Sequence, residues 1–65
     1  MNIVLNGEKV SVSSSSLKEV LTELGYGEAK IATALNEEFI AENNRADIIL
    51  EAGDRLEVLA PMQGG

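Results

Sequence analysis

Asn2-Ile3-Val4-Leu5-Asn6-Gly7-Glu8-Lys9-Val10-Ser11-Val12 is the stretch on which the fold turns. Ile3 and Leu5 alternate with Val4, so a strand over Asn2–Leu5 presents Ile3 and Leu5 to one side and Val4 to the other. Asn6-Gly7 then offers the two positive-φ positions of a type I′ turn, whose twist matches that of the strands it joins. Glu8 to Val12 returns with Val10 and Val12 on alternate sites, which completes a β-hairpin.

Outward from the hairpin, Ser13-Ser14-Ser15-Ser16 ends the second strand. No histidine is present to activate these hydroxyls, so helix entry explains them better than nucleophilic chemistry. Ser16 as N-cap with Glu19 three residues on forms a capping box, the hydroxyl taking the Glu19 N–H and the carboxylate reaching back. Leu17, Val20, Leu21 and Leu24 fall at i, i+3, i+4 and i+7, one apolar stripe, while Lys18, Glu19, Thr22 and Glu23 face water. Gly25 suits the left-handed residue that closes the helix.

Ile31 to Leu35 reads as a third strand in which Ala32 and Ala34 blur the inward face, and Asn36-Glu37 turns the chain. Glu38-Phe39-Ile40 pairs back. Ala41 to Asp47 reads as a polar loop bending at Asn43-Asn44, and Ile48-Ile49-Leu50 as an apolar plug for the open end of the sheet. Glu51-Ala52-Gly53-Asp54 turns into a last strand, Arg55 to Ala60. The order β-β-α-β-β-β predicts an α+β domain, a mixed sheet of four to five strands packed on one main helix. Its first and last strands are expected to be central and, if adjacent, parallel, joined by a right-handed crossover. This is the β-grasp, or ubiquitin-like, arrangement. The expected division is a domain over 1–60 and a flexible tail over 61–65.

The tail, Pro61-Met62-Gln63-Gly64-Gly65, has its own logic. Pro61 removes a backbone donor and discourages further pairing. Two glycines hold structure poorly but pass through a narrow channel, because no Cβ widens them. Four extended residues beyond Pro61 reach about 13 Å, enough to carry the Gly65 carboxylate into another protein's active site.

Composition limits the chemistry. A chain of 65 residues with 45% hydrophobic and 25% charged residues makes one small folded domain with a thin core and little room for an internal pocket. It has no cysteine and no histidine, which removes disulfides, thiolate nucleophiles and the usual zinc ligands; no metal site and no catalytic side chain are expected. A net charge of −6 repels phosphate, so nucleic acid is not an expected partner. No apolar run reaches membrane-spanning length and Met1-Asn2-Ile3 carries no signal-peptide pattern, so the expectation is a soluble, cytoplasmic protein.

Taken together, Leu5-Asn6-Gly7-Glu8, Leu17-Lys18-Glu19-Val20-Leu21, Ala34-Leu35-Asn36-Glu37-Glu38, Ala52-Gly53-Asp54-Arg55-Leu56-Glu57-Val58 and Met62-Gln63-Gly64-Gly65 resemble, in order and spacing, the ThiS-type sulfur carriers of thiamine (thiazole) biosynthesis. The similarity spans essentially the whole chain. It implies that the protein is a carrier acted upon, not an enzyme. A ThiF-type, E1-like adenylyltransferase using ATP and magnesium would adenylate the Gly65 carboxylate. Sulfur from a cysteine desulfurase or another donor would displace AMP to give a thiocarboxylate. A ThiG-type thiazole synthase would then take the sulfur into the thiazole ring. The carrier itself would bind no cofactor. Gly64, Gln63 and Met62 would thread into the partner, with Met62 either an anchor or simply a tail residue.

Docking would fall to the folded surface. With Leu56 and Val58 facing the helix, Leu59 points away, and Val4 is expected beside it on the adjacent strand, giving a Val4/Leu59 patch rimmed by acids for an apolar, basic-edged partner. A lone exposed leucine is the plainer alternative. Arg55 is expected to pair with Asp54 at the surface, and Glu57 to be solvated. The same fold and tail are shared by the small subunit of molybdopterin synthase, by carriers for tRNA thiolation and by modifiers that conjugate to lysine. Those molybdopterin-synthase chains are usually longer, which favours the thiazole reading, although Pro61 leans toward them. A plain β-grasp interaction module is the reading from another class.

Overall fold

The structure is a computed structural model that describes residues 1–27 and 29–60; Glu28 and the tail residues Pro61, Met62, Gln63, Gly64 and Gly65 lie outside the described residues. Among the described residues the order is β1 (Asn2–Leu5), β2 (Glu8–Ser11), α1 (Leu17–Glu23), β3 (Ala32–Leu35), β4 (Glu38–Ile40), a 3₁₀ helix (Glu42–Asp47) and β5 (Arg55–Leu59). The five strands form one sheet in the order β2-β1-β5-β3-β4. β1 and β5 run parallel at its centre, and every other neighbouring pair is antiparallel. No helix among the described residues is long and apolar enough to cross a membrane.

The hairpin forms for the reason its residues suggest. Asn6 and Gly7 take φ of 48° and 84°, a turn that sets Ile3 opposite Val10 and Val4 opposite Lys9. The second hairpin repeats the device with Asn36 at 50° and Glu37 at 73°. Glu37 has no glycine's freedom there, so this turn stores strain of about 1–2 kcal/mol.

At seven residues α1 is too short to persist alone in water. Its ends and its packing hold it. The Ser16 hydroxyl accepts the Glu19 N–H at 3.2 Å. Contrary to the expected box, the Glu19 carboxylate takes its bond from the Ser16 hydroxyl, at 3.1 Å, rather than from the Ser16 N–H. At the other end Gly25, with φ 96°, allows the Tyr26 N–H to reach Leu21 O (2.9 Å) and the Gly25 N–H to reach Thr22 O (3.1 Å). This is a Schellman closure. Leu17, Val20 and Leu21 are buried against Ile3, Val12, Ile40, Leu50, Leu56 and Val58, so one face of the sheet is the core and the other is open.

Two loops depart from the sequence reading. Residues 42–47 are not a polar loop but a 3₁₀ helix that buries Arg45. Its Nε donates to Thr33 Oγ1 at 3.1 Å and an Nη to Ile31 O at 2.8 Å, while Thr33 Oγ1 donates to Ile40 O at 2.9 Å. A planar guanidinium serves two acceptors at once, which is why a charge is tolerated at this depth. The 48–50 segment buries Leu50 but leaves Ile49 exposed. Its backbone pairs with the helix entry, Leu17 N–H to Ile48 O and Leu50 N–H to Ser15 O, so it clamps α1 as well as filling the core.

The serine run has a further use. The Glu23 carboxylate accepts the backbone N–H groups of Ser13 and Ser14 and the Ser13 hydroxyl, at 2.8–3.0 Å. The Ser14 and then the Ser13 N–H favour the charged form and lower its pKa from 4.5 to about 2.

Candidate functional site

β5 leads into the tail, and the sequence gives it unusual support. The Asn6 side chain continues β1 past its turn: its Nδ2 donates to Val58 O at 3.2 Å and its Oδ1 accepts the Val58 N–H at 2.8 Å. One amide group thus stands in for a peptide unit of a longer strand. At the start of β5 the other turn asparagine does similar work. Asn36 Oδ1 accepts the Arg55 N–H at 3.0 Å, and its Nδ2 donates to Asp54 Oδ1 at 3.1 Å. Asp54 Oδ2 in turn accepts the Glu51 N–H at 2.8 Å. Both hairpin turns therefore grip the strand from which the tail departs, and Ala32 of β3 pairs with Leu59.

On β5 the side chains alternate strictly. Leu56 and Val58 are buried, while Arg55, Glu57 and Leu59 stand on the open face. Thr33 is only 1% exposed, which settles the inward face of β3 and turns Ala32 and Ala34 outward. The register then sets Phe39 of β4, Ala34 of β3 and Glu57 of β5 in one row, with Ala32 and Leu59 in the next. Phe39 and Leu59 are each 69% exposed. Two alanines floor a trough between them, and at strand spacing their Cα atoms lie about 12 Å apart. Beside the end of β5, Lys30, Ile31, Ala32, Leu59 and Ala60 line a shallow concavity that extends this apolar surface to the root of the tail.

The expected Val4/Leu59 patch needs correction. Val4 is on the open face but pairs with Arg55, four residues before Leu59, about 13 Å away along the strand. It is half-buried and flanked by Lys9 and Arg55 rather than by Leu59. The residue the sequence reading missed is Phe39. Its signal was available: with Ile40 inward, strand alternation puts Phe39 outward, once the face of β3 is known. The expected Arg55–Asp54 pair is also replaced, because Arg55 Nη1 lies 3.5 Å from Glu37 Oε1. Gly65, Gly64, Gln63 and Met62, proposed from sequence as the reactive and threading residues, lie outside the described residues.

A larger concavity lies elsewhere, between α1 and the 3₁₀ helix, lined by Lys18, Leu21, Ala29, Glu42 and Arg45 among others. Among the described residues its lining offers one carboxylate, Glu42, and no hydroxyl or thiol.

A mixed sheet gripping one helix, with the central last strand running toward a glycine-ended tail, defines an α+β protein of the β-grasp, ubiquitin-like class. The ThiS family model matches residues 2–65. The sulfur carrier protein ThiS of Thermus thermophilus is 44% identical over 61 residues, covering 94% of this chain and 95% of that protein. A thiazole synthase of Paramagnetospirillum magneticum is 35% identical over 66 residues, covering all of this chain but only 20% of that protein's length. The crystal structure of the thiamine biosynthesis protein ThiS from Geobacter metallireducens superposes with a TM-score of 0.81 at 28% identity, each chain covered in full. A solution structure of a thiamine biosynthesis protein from the same organism gives 0.81 at 26% identity, covering 100% of this chain and 88% of that one. The chain belongs to the ThiS family.

Proposed function

We propose that this chain is a sulfur carrier of thiamine biosynthesis, with residues 1–60 as its folded domain and 61–65 as its working tail. Gly65 is the residue whose carboxylate is activated and thiolated. The observation that carries this reading is the match of the ThiS family model through Gly65, in a chain whose last strand is gripped by both hairpin turns directly before the Gly-Gly sequence.

The chemistry is performed on the carrier. A carboxylate is a poor electrophile, because its charge repels nucleophiles and oxide leaves badly. An E1-like, ThiF-type adenylyltransferase removes both faults with ATP and magnesium: the Gly65 carboxylate attacks the α-phosphorus, pyrophosphate leaves, and an acyl-adenylate forms. Hydrosulfide adds to the acyl carbon and AMP departs, leaving the thiocarboxylate. Where the donor is the persulfide of a cysteine desulfurase, AMP is displaced to give an acyl disulfide. A thiol then attacks the donor-side sulfur, forming a disulfide with it and releasing the thiocarboxylate. The thioacid is ionised at neutral pH. Held on a folded domain, it becomes a positioned sulfur nucleophile for a ThiG-type thiazole synthase. The relative named as a thiazole synthase, which contains a region similar to this whole chain, supports that choice of acceptor.

Docking falls to the Phe39–Ala34–Ala32–Leu59 trough, apolar, exposed and continuous with the root of the tail. Gly64→Val tests the threading step, since a side chain there widens the thread. Thermal stability should stay unchanged while ATP–pyrophosphate exchange with the adenylyltransferase is lost. Normal exchange in that variant would refute passage through a narrow channel.

A further inference from the structure

The open face of the sheet holds a second feature that apolar docking does not use. Lys9 pairs with Val4 across β2 and β1, and Val4 pairs with Arg55 across β1 and β5. Lys9, Val4 and Arg55 therefore form one row, and strand spacing puts the two cations' Cα atoms about 10 Å apart with Val4 between them. These are two of only five bases in a chain of net charge −6. Val4 is half-buried beneath them, and both cationic residues are exposed.

The fold does little to neutralise this row. Arg55 Nη1 meets Glu37 Oε1 at 3.5 Å, but the two side chains are 59% and 76% exposed, so solvent screens the pair. Lys9 has no ion pair among the described residues. Neither side chain is needed to satisfy a buried group. The row begins about 13 Å behind Leu59 along β5, on the same face as the apolar trough. A partner that takes the tail beyond Ala60 and covers Phe39 and Leu59 lies over the end of β5. Its next contacts back along the open face of that strand are Glu57 and then Arg55, with Lys9 beyond Val4 in the same row.

We infer that Lys9 and Arg55 are the polar anchor of this docking face and receive a carboxylate from the surface of the enzyme that activates the terminal glycine. This rests on the carrier reading above. It reverses the expectation from net charge, under which an acidic carrier meets a basic partner throughout. The contact is mixed: apolar at the tail end, with an acid of the partner set over the Lys9–Val4–Arg55 row. Charges at such a position act chiefly on the encounter rate and its salt dependence, and they reject surfaces that place a base there.

The sign of a charge reversal decides the matter. ATP–pyrophosphate exchange by the organism's own adenylyltransferase is measured against carrier concentration at low and high salt, for the wild-type chain, Arg55→Glu, Lys9→Glu and Phe39→Ser. Each charge reversal should raise the half-saturating carrier concentration about tenfold at low salt, by less at high salt, and leave the maximal rate unchanged. Unchanged or tighter half-saturation in both reversals overturns the proposal. If Arg55→Glu melts early, Lys9→Glu decides alone. Phe39→Ser separates the two layers: if it weakens docking while the charge reversals do not, only the cationic anchor falls; if it too is without effect, the face itself is not the docking surface.

Discussion

Leu56 and Leu59 stand three residues apart on β5, and the fold treats them in opposite ways. Leu56 is completely buried beneath α1, while Leu59 is 69% exposed. The same contrast runs across the sheet, with Ile3, Thr33 and Ile40 inside and Val4, Ala34 and Phe39 outside. The inner face meets its requirements within the chain: apolar groups are packed, and no buried side-chain polar atom among the described residues lacks a partner. The outer face does not. It leaves a phenylalanine and a leucine exposed over an alanine floor, with a cationic row behind them, and this is the surface assigned above to docking.

Substitutions break this contrast in a graded way. The largest effect is expected from Leu56→Ala, which removes a fully buried side chain and should cost about 2–5 kcal/mol in urea denaturation. In so small a domain that approaches the whole stability. Arg45→Ala comes next, at about 2–3 kcal/mol, since it strips charged hydrogen bonds from Thr33 and Ile31 and opens the sheet beneath the 3₁₀ helix. Asn6→Ala should cost about 1–3 kcal/mol by leaving Val58 without its amide partner and placing alanine at φ 48°. Hydrogen exchange at Val58 should report it first. Glu37→Gly changes sign: relief of the positive φ at that turn should stabilise the domain by about 1 kcal/mol. Leu59→Glu, on the outer face, should shift stability by less than about 0.5 kcal/mol yet weaken partner docking. Unfolding of that variant would show that the two faces are not separable.

Acid sharpens the same picture. The Glu23 carboxylate has a folded pKa of about 2 against an ordinary 4.5, so between these values the unfolded chain binds more protons. Stability from this group is full above pH 4.5 and is lost as pH falls toward 2. Glu23→Gln should flatten the decline in stability over that window, read by denaturant midpoints at successive pH values.

Much of the architecture was legible because it rests on local signals. Asn6-Gly7 fixed one hairpin, the Leu17–Leu24 stripe fixed the helix, and Ser16 and Gly25 marked its ends. What escaped was set by long-range register. The inward face of β3 depends on Thr33 bonding to Ile40 and Arg45, partners seven and twelve residues distant, and alternating small residues cannot announce it. Burial of Arg45 was hidden for the same reason, because a guanidinium in a polar stretch looks solvated until its acceptors are known. The lateral partner of Val4 follows from the parallel β1–β5 register, which no local pattern encodes, and the outward turn of Phe39 becomes evident only once the inward face of β3 is known.

The central claim concerns the carboxyl group of Gly65, and intact-mass spectrometry addresses it most directly. The chain is incubated with its adenylyltransferase, ATP, magnesium and a sulfur donor, then weighed. A gain equal to replacement of one oxygen by one sulfur, mapped to Gly65 and lost on deletion of Gly65, is the predicted result. Unmodified chain from an otherwise active mixture, or chain found only in amide linkage to lysine, would contradict the account.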